Sequence, residues 1–262
     1  MKLLFTILSL VCSMLAFSQT DLDVLEQSRR HQEWVELESN GRTLYNFVAY
    51  PEVPDKAKVF IVIHENRGLN DWARRFADEL AEKGFIAIAP DLLSNTSEGI
   101  SKTSDFKNSD AARTAIYNLD QDQVISDLDR VFDYAQSIAA GTGEVSVIGF
   151  CWGGSQSFKY ATHNPNLEEA FVFYGTAPVA MEDLVKIEVP VYGFYGGSDA
   201  RVNSTIPDTE QKMNRLGKFY TYHIYENGGH GFMRSGAQPN ASPENKMARE
   251  KAWEDLLGLI QF

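Results

Sequence analysis

Short apolar runs alternate with amphipathic stretches along most of the chain. Val59 to Ile63 is rich in β-branched residues, the composition of a strand buried on both faces. Phe85 to Ala89, stopped by Pro90, predicts a second such strand, and Val145 to Phe150, Ala170 to Tyr174, Val189 to Tyr195 and Phe219 to Tyr225 predict four more. Between these runs the period changes to that of a helix. Asp71 to Lys83 puts Trp72, Phe76 and Leu80 on one face and reaches Gly84 at its end. Asp122 to Ala139 carries a stripe of Val124, Ile125, Leu128, Val131, Phe132 and Ala135. Ser155 to Thr162, Thr205 to Leu216 and Glu244 to Ile260 predict further helices. Ahead of them, Trp34 to Ser39 and Arg42 to Tyr50 flank Asn40-Gly41, a hairpin turn signal. Asp21 to Gln32 reads as a polar lead-in. Asp91 to Ser109 has no period and reads as a loop or an excursion over the site. Strands alternating with helices imply an α/β class, with a mostly parallel sheet covered by helices on both faces. In such sheets the chemistry sits beyond the carboxyl ends of the strands.

The first residues break this pattern. Lys2 precedes an apolar run from Leu3 to Leu15, and Ala16-Phe17-Ser18 has the small-x-small form of a cleavage site. The reading is a signal peptide over residues 1–18, followed by a single α/β domain over 19–262; a buried helix is the alternative. The run is short for a membrane span, and Val11 before Cys12 argues against lipid attachment. Export is therefore expected, to a bacterial periplasm or beyond the cell, with no membrane association once the signal is removed. Sequons at Asn95, Asn203 and Asn240 matter only in a eukaryotic secretory path. Removal of Cys12 leaves Cys151 as the sole thiol, so no intramolecular disulfide can form. A lone thiol in an exported protein is either an inert core residue or a reactive one. A hydrophobic content of 44% and a charged content of 23% suit an ordinary globular protein. The net charge of -12 argues against a nucleic-acid partner, which needs a basic face.

The neighbours of Cys151 decide its reading. Gly149-Phe150-Cys151-Trp152-Gly153 has the G-x-nucleophile-x-G form, ending a strand and opening a helix. A nucleophile on that strained turn needs near-absent side chains two residues to either side, which glycine supplies. The turn also aims the Trp152 N–H into the site at a helix N-terminus. The bland alternative is a glycine-rich turn around a core cysteine. A thiol needs a base, and the base needs an orienter. His230, in Gly228-Gly229-His230-Gly231-Phe232, follows the strand ending near Tyr225. Asp199, in Gly196-Gly197-Ser198-Asp199, follows the strand ending at Tyr195. Alone, the first is a loop histidine and the second a capping aspartate. Nucleophile, acid and histidine in that order, each after a strand, is the α/β-hydrolase order. His64-Glu65-Asn66-Arg67-Gly68-Leu69 follows the first core strand, where this fold draws its second oxyanion N–H. His31, His64, His163 and His223 form no metal-ligand spacing, and neither metal nor cofactor is expected.

On four motifs, in order over roughly Trp34 to Phe262, the chain resembles the dienelactone hydrolase family of α/β-hydrolases. Its members carry H/Q-E-x-x-G after the early strand, G-x-C-x-G-G at the elbow, G-x-x-D, and G-H-x-F near the end. The resemblance implies the α/β-hydrolase fold, with Cys151 as nucleophile, Asp199 as acid and His230 as base. It implies that Glu65 interacts with the thiol and takes its proton when substrate arrives. The N–H groups of Asn66 and Trp152 would be the oxyanion donors, and Arg234 would grip a substrate carboxylate. Members that cleave dienelactone carry a tyrosine and a second arginine soon after the A-P-D-L segment. Here Ala89-Pro90-Asp91-Leu92 runs on to Leu93-Ser94, a departure that bears on dienelactone itself.

The expected function is hydrolysis of a small-molecule ester or lactone through a covalent acyl-enzyme. The rivals are serine-peptidase-like or thioesterase and acyltransferase activity on the same fold, or a binding protein that kept the fold and lost the chemistry. The cysteine and Glu65 favour the ester or lactone, and turnover of small aryl esters separates enzyme from binding protein.

Overall fold

The computed structural model describes residues 19–260. The expected signal peptide at residues 1–18 lies outside the described residues. The elements run in chain order as α1 (Asp21–Glu26), β1 (His31–Ser39), β2 (Arg42–Tyr50), β3 (Ala57–Ile63), α2 (Asp71–Glu82), β4 (Ile86–Pro90), α3 (Ser109–Tyr117), α4 (Gln121–Ser137), β5 (Gly141–Phe150) and α5 (Trp152–Ala161). They continue as β6 (Ala170–Phe173), α6 (Met181–Leu184), β7 (Val191–Gly196), α7 (Ala200–Asn203), α8 (Ile206–Arg215), β8 (Tyr220–Tyr225), α9 (Phe232–Ser235) and α10 (Pro243–Ile260). The strands form one sheet in the order β1-β2-β4-β3-β5-β6-β7-β8. The first two are antiparallel to their neighbours and the rest are parallel. This is the expected α/β class with a mostly parallel sheet.

The alternation of side chains along each strand builds two cores, one on either face. Val59, Ile61 and Ile63 of β3 join Val124, Leu128 and Val131 of α4 on one face. Phe60 and Val62 join Trp72 and Phe76 of α2, with Trp253 and Leu256 of α10, on the other. Both faces of the central strands are thus covered, which is why β3 and β4 read as continuous apolar runs. The helix α2 starts at Asn70, whose side chain accepts from the Ala73 N–H, and stops at Gly84, whose φ of +97 suits glycine. After β3 the chain returns first to β4 on one side and then to β5 on the other. The crevice at such a reversal, beyond the ends of β3 and β5, is where open α/β sheets bind their ligands.

One segment differs from its sequence reading, and one helix, α3, falls outside the segments read from the sequence. Within the expected polar lead-in, residues 21–26 form α1 because Thr20 and Asp23 cap it reciprocally, and Leu25 is buried. The stretch ending at Ser109 gives way to α3, capped by Asn108 and anchored by buried Ala112 and Ile116. The loop before α3 is tied down from below. Asp91 accepts from the Thr103 N–H at 2.6 Å and its hydroxyl at 2.7 Å, and that hydroxyl accepts from the Leu69 N–H at 3.0 Å.

Candidate active site

Cys151 sits between β5 and α5 with φ 55 and ψ -113, a conformation that L-residues rarely adopt. It persists because the surroundings leave no room for another. A Cβ on Gly149 would lie 2.0 Å from the Gly153 carbonyl oxygen, and one on Gly153 would lie 2.3 Å from that of His64. The helix therefore starts hard against the ends of β3 and β5, and the side chain of Cys151 stands above the sheet.

The loops after β7 and β8 are laced together, since the Gly197 N–H donates to Tyr225 O at 2.7 Å and the Ser198 N–H to Gly228 O at 2.9 Å. This lacing brings two distant segments into register. Asp199 Oδ2 lies 2.5 Å from His230 Nδ1, and His230 Nε2 lies 3.2 Å from Cys151 Sγ. A carboxylate can only accept, so Nδ1 carries the hydrogen and Nε2 is left to accept from the thiol. The Asp199 side chain is buried, and the Gly229 N–H is fixed by Asn245 Oδ1 at 2.9 Å.

Glu65 stands differently from its sequence reading. Its Oε2 accepts from Arg234 Nε at 2.7 Å and its Oε1 from the Tyr174 hydroxyl at 3.3 Å, while the thiol faces His230. A buried carboxylate takes a cation where one is in reach. Its charge still reaches the sulfur: burial pushes the Cys151 thiol above its ordinary range, and Glu65 pushes it further. The Trp152 N–H, Arg201 and Arg234 act in the opposite sense. Burial likewise holds the Tyr174 hydroxyl protonated, as a donor.

Arg234 is thus paired with Glu65 through Nε, while its side chain stays 43% exposed. The cavity above Cys151, about 460 Å³, has Asn66, Trp152 and His230 in its wall with Arg113, Tyr117 and Arg201. Asn66 Nδ2 donates to the Tyr117 hydroxyl at 3.1 Å, which ties the loop after β3 to α3. Arg113, Tyr117 and Arg201 escaped the sequence reading. The signal for the first two was Asn108 as a cap ahead of Ala112 and Ile116, one helical turn apart. An arginine and a tyrosine do reach the site, from α3 rather than from directly behind Ala89-Pro90-Asp91-Leu92.

Residues 44–261 match the dienelactone hydrolase family. A "Putative carboxymethylenebutenolidase" of Saccharolobus solfataricus is 29% identical over 255 residues, covering 86% of this chain and 96% of that protein. A "Probable 2-oxo-3-(5-oxofuran-2-ylidene)propanoate lactonase" of Bradyrhizobium sp is 25% identical over 245 residues, covering 88% and 94%. Among solved structures, a "Putative Dienelactone Hydrolase" from Klebsiella pneumoniae superposes with a TM-score of 0.76 at 23% identity, covering 87% of this chain and 97% of that one. At that identity the likeness concerns the fold.

Proposed function

The chain belongs to the dienelactone hydrolase family, and from that premise we propose that it hydrolyses a lactone or ester through an acyl-thioester on Cys151. The observation that carries the reading is the relay Cys151 Sγ, His230, Asp199, with spacings of 3.2 and 2.5 Å, at the mouth of a cavity. In the resting protein the thiol is neutral, because burial and Glu65 both disfavour its charge. Attack on a substrate carbonyl sends the thiol proton to His230 Nε2, and Asp199 steadies the imidazolium that forms. The oxyanion develops toward the N–H groups of Asn66 and Trp152. Collapse expels the alkoxide, which takes the proton back from Nε2; in a lactone it stays tethered to the acyl group. Water then gives its proton to Nε2 as it attacks the thioester, the C–S bond breaks, and the departing sulfur takes that proton back as the acid leaves.

Arg113 and Arg201 line the cavity, and neither has an acidic partner among the described residues. Their placement favours a substrate that carries a carboxylate beside the scissile group, since guanidinium groups match carboxylates in shape and charge. Arg234, with Nε committed to Glu65, acts as that carboxylate's counter-ion. The test is turnover of small aryl esters and lactones by the wild type and by Cys151→Ala, with mass spectrometry of quenched reactions for an acyl adduct on Cys151. Full turnover by Cys151→Ala refutes the mechanism. We also propose that residues 1–18 direct export and are removed. N-terminal sequencing of protein recovered from outside the cytoplasm tests this, with residue 19 or 20 expected first.

A further inference from the structure

His64 follows the last residue of β3, is fully buried, and takes no part in the chemistry above. Its ring nevertheless touches both halves of the oxyanion site. Nδ1 lies 2.8 Å from the carbonyl oxygen of Glu65, and the ring stacks on the indole of Trp152 at 5.6 Å and 12°. We propose that His64 is a positioning residue that assembles the oxyanion hole, its Nδ1–H holding the Glu65 carbonyl so that the Asn66 N–H faces the cavity. The proposal rests on the hydrolytic reading of Cys151 given above.

The geometry leaves little freedom. A carbonyl only accepts, so Nδ1 carries the hydrogen. The Glu65–Asn66 peptide is trans, and in a trans peptide the C=O and N–H point in opposite directions. Fixing the carbonyl toward buried His64 therefore turns the Asn66 N–H the other way. Asn66 lines the cavity with Cys151 and Trp152, whereas His64 does not. That N–H has no acceptor among the described residues, as a donor reserved for a transient oxyanion should not. The second donor, the Trp152 N–H, opens α5 directly after Cys151, and Trp152 lines the same cavity. The indole of the same residue rests on the His64 ring, so one side chain steadies both donors.

The arrangement has a structural cost, which sets it apart from ordinary core packing. With the hydrogen on Nδ1, Nε2 is a bare acceptor, and it is buried with no partner among the described residues. A position that served packing alone would be filled better by an apolar ring. Burial also holds the His64 pKa down to about 4, so the ring is neutral and its single hydrogen is the one on Nδ1 through the neutral range.

Two variants separate the donor from the ring. His64→Phe keeps an aromatic ring against Trp152 and removes the donor; His64→Gln supplies an amide N–H in its place. Two reactions are compared on each protein. Hydrolysis of an aryl ester passes through an oxyanion, whereas alkylation of Cys151 by iodoacetamide displaces iodide and forms none. His64→Phe is expected to lower kcat on the order of 100-fold, the scale of one lost oxyanion donor. Its KM and its alkylation rate should stay within about twofold of wild type. His64→Gln should restore kcat to within about tenfold. Wild-type kcat in His64→Phe, or an alkylation rate that falls with kcat, overturns the proposal. Should His64→Phe fail to fold, His64→Gln decides alone, because a kcat loss of about 100-fold there also overturns it. Failure of the underlying reading is distinct: full turnover by Cys151→Ala removes the thiol mechanism, and this role for His64 with it.

Discussion

Replacing Arg234 by methionine separates the two roles open to it. In the structure its Nε holds Glu65 Oε2 at 2.7 Å, the Glu65 side chain is 6% exposed, and that of Arg234 is 43% exposed. Removing one partner of a fully buried pair costs about 3–5 kcal/mol, because the other charge is left in low dielectric. Here water reaches the guanidinium side of the pair, and the Tyr174 hydroxyl remains on Glu65 Oε1, so the expected cost is nearer ~2 kcal/mol. For a domain of this size that is roughly 4–8 °C in Tm. In a Glu65→Gln background no charge is stranded, and the same substitution should cost only about 0.5 kcal/mol of lost stem packing. Urea unfolding of the four proteins gives a coupling of about 1.5 kcal/mol, provided the slopes agree. A coupling below about 0.5 kcal/mol refutes the pairing, since independent sites add to within that margin. Activity supplies a second arm. If Arg234 acts through Glu65, Arg234→Met lowers kcat/KM equally on a carboxylated ester and on its neutral counterpart. A loss confined to the carboxylated ester would put Arg234 on the substrate.

Arg113→Ala and Arg201→Ala are each expected to lower kcat/KM on the carboxylated ester by roughly 10- to 100-fold, the scale of a charge-assisted hydrogen bond. Turnover of the neutral ester should stay within about twofold; equal losses on both esters refute the assignment. Under the proposed mechanism His230→Ala should cost more in kcat than Asp199→Asn, since a proton-transferring histidine is lost in the one and only its tautomer control in the other; the aspartate change is expected to cost on the order of 10⁴-fold. The reverse order, measured at one pH, means the roles are misassigned. The pH dependence of alkylation follows from the raised Cys151 pKa. A raised pKa favours the thiol, so the rate should climb with pH to a midpoint above the ordinary value of about 8.5. Glu65→Gln removes a like charge and should move that midpoint down; an unmoved midpoint takes Glu65 out of the thiol's electrostatics.

The strands were legible because most are buried on both faces. In β3 and β4 nearly every side chain is buried, so the sequence there carries one signal that no surface requirement interrupts. Two of the helices missed in the sequence, α1 and α3, carry the opposite signature. In α1 only Leu25 is buried, and in α3 only Ala112 and Ile116. Neither face is wide enough to read as a stripe, and both helices are defined by caps at Thr20 and Asn108 that satisfy their first N–H groups. A helix held by its cap looks like a polar loop to any argument from periodicity.

The site divides along a similar line. The glycines at 149 and 153 were legible because they answer a local constraint, the approach of one backbone to another within a single turn. The partner of Glu65 was not, because it lies 169 residues away and was chosen by proximity in space. The choice follows from how the His230 loop is anchored. Gly231, at φ +75, turns the chain into α9, and Phe232 is fully buried, packing on Tyr174 at 5.4 Å. His230 lies just before that anchor and Arg234 two residues past it. Tyr174 lies edge-on to the His230 ring at 5.1 Å and gives its hydroxyl to Glu65. One buried phenylalanine thus sets where His230, Arg234 and Tyr174 stand relative to the thiol. The spacing of histidine and arginine along the chain carried that information only in combination with the buried ring between them.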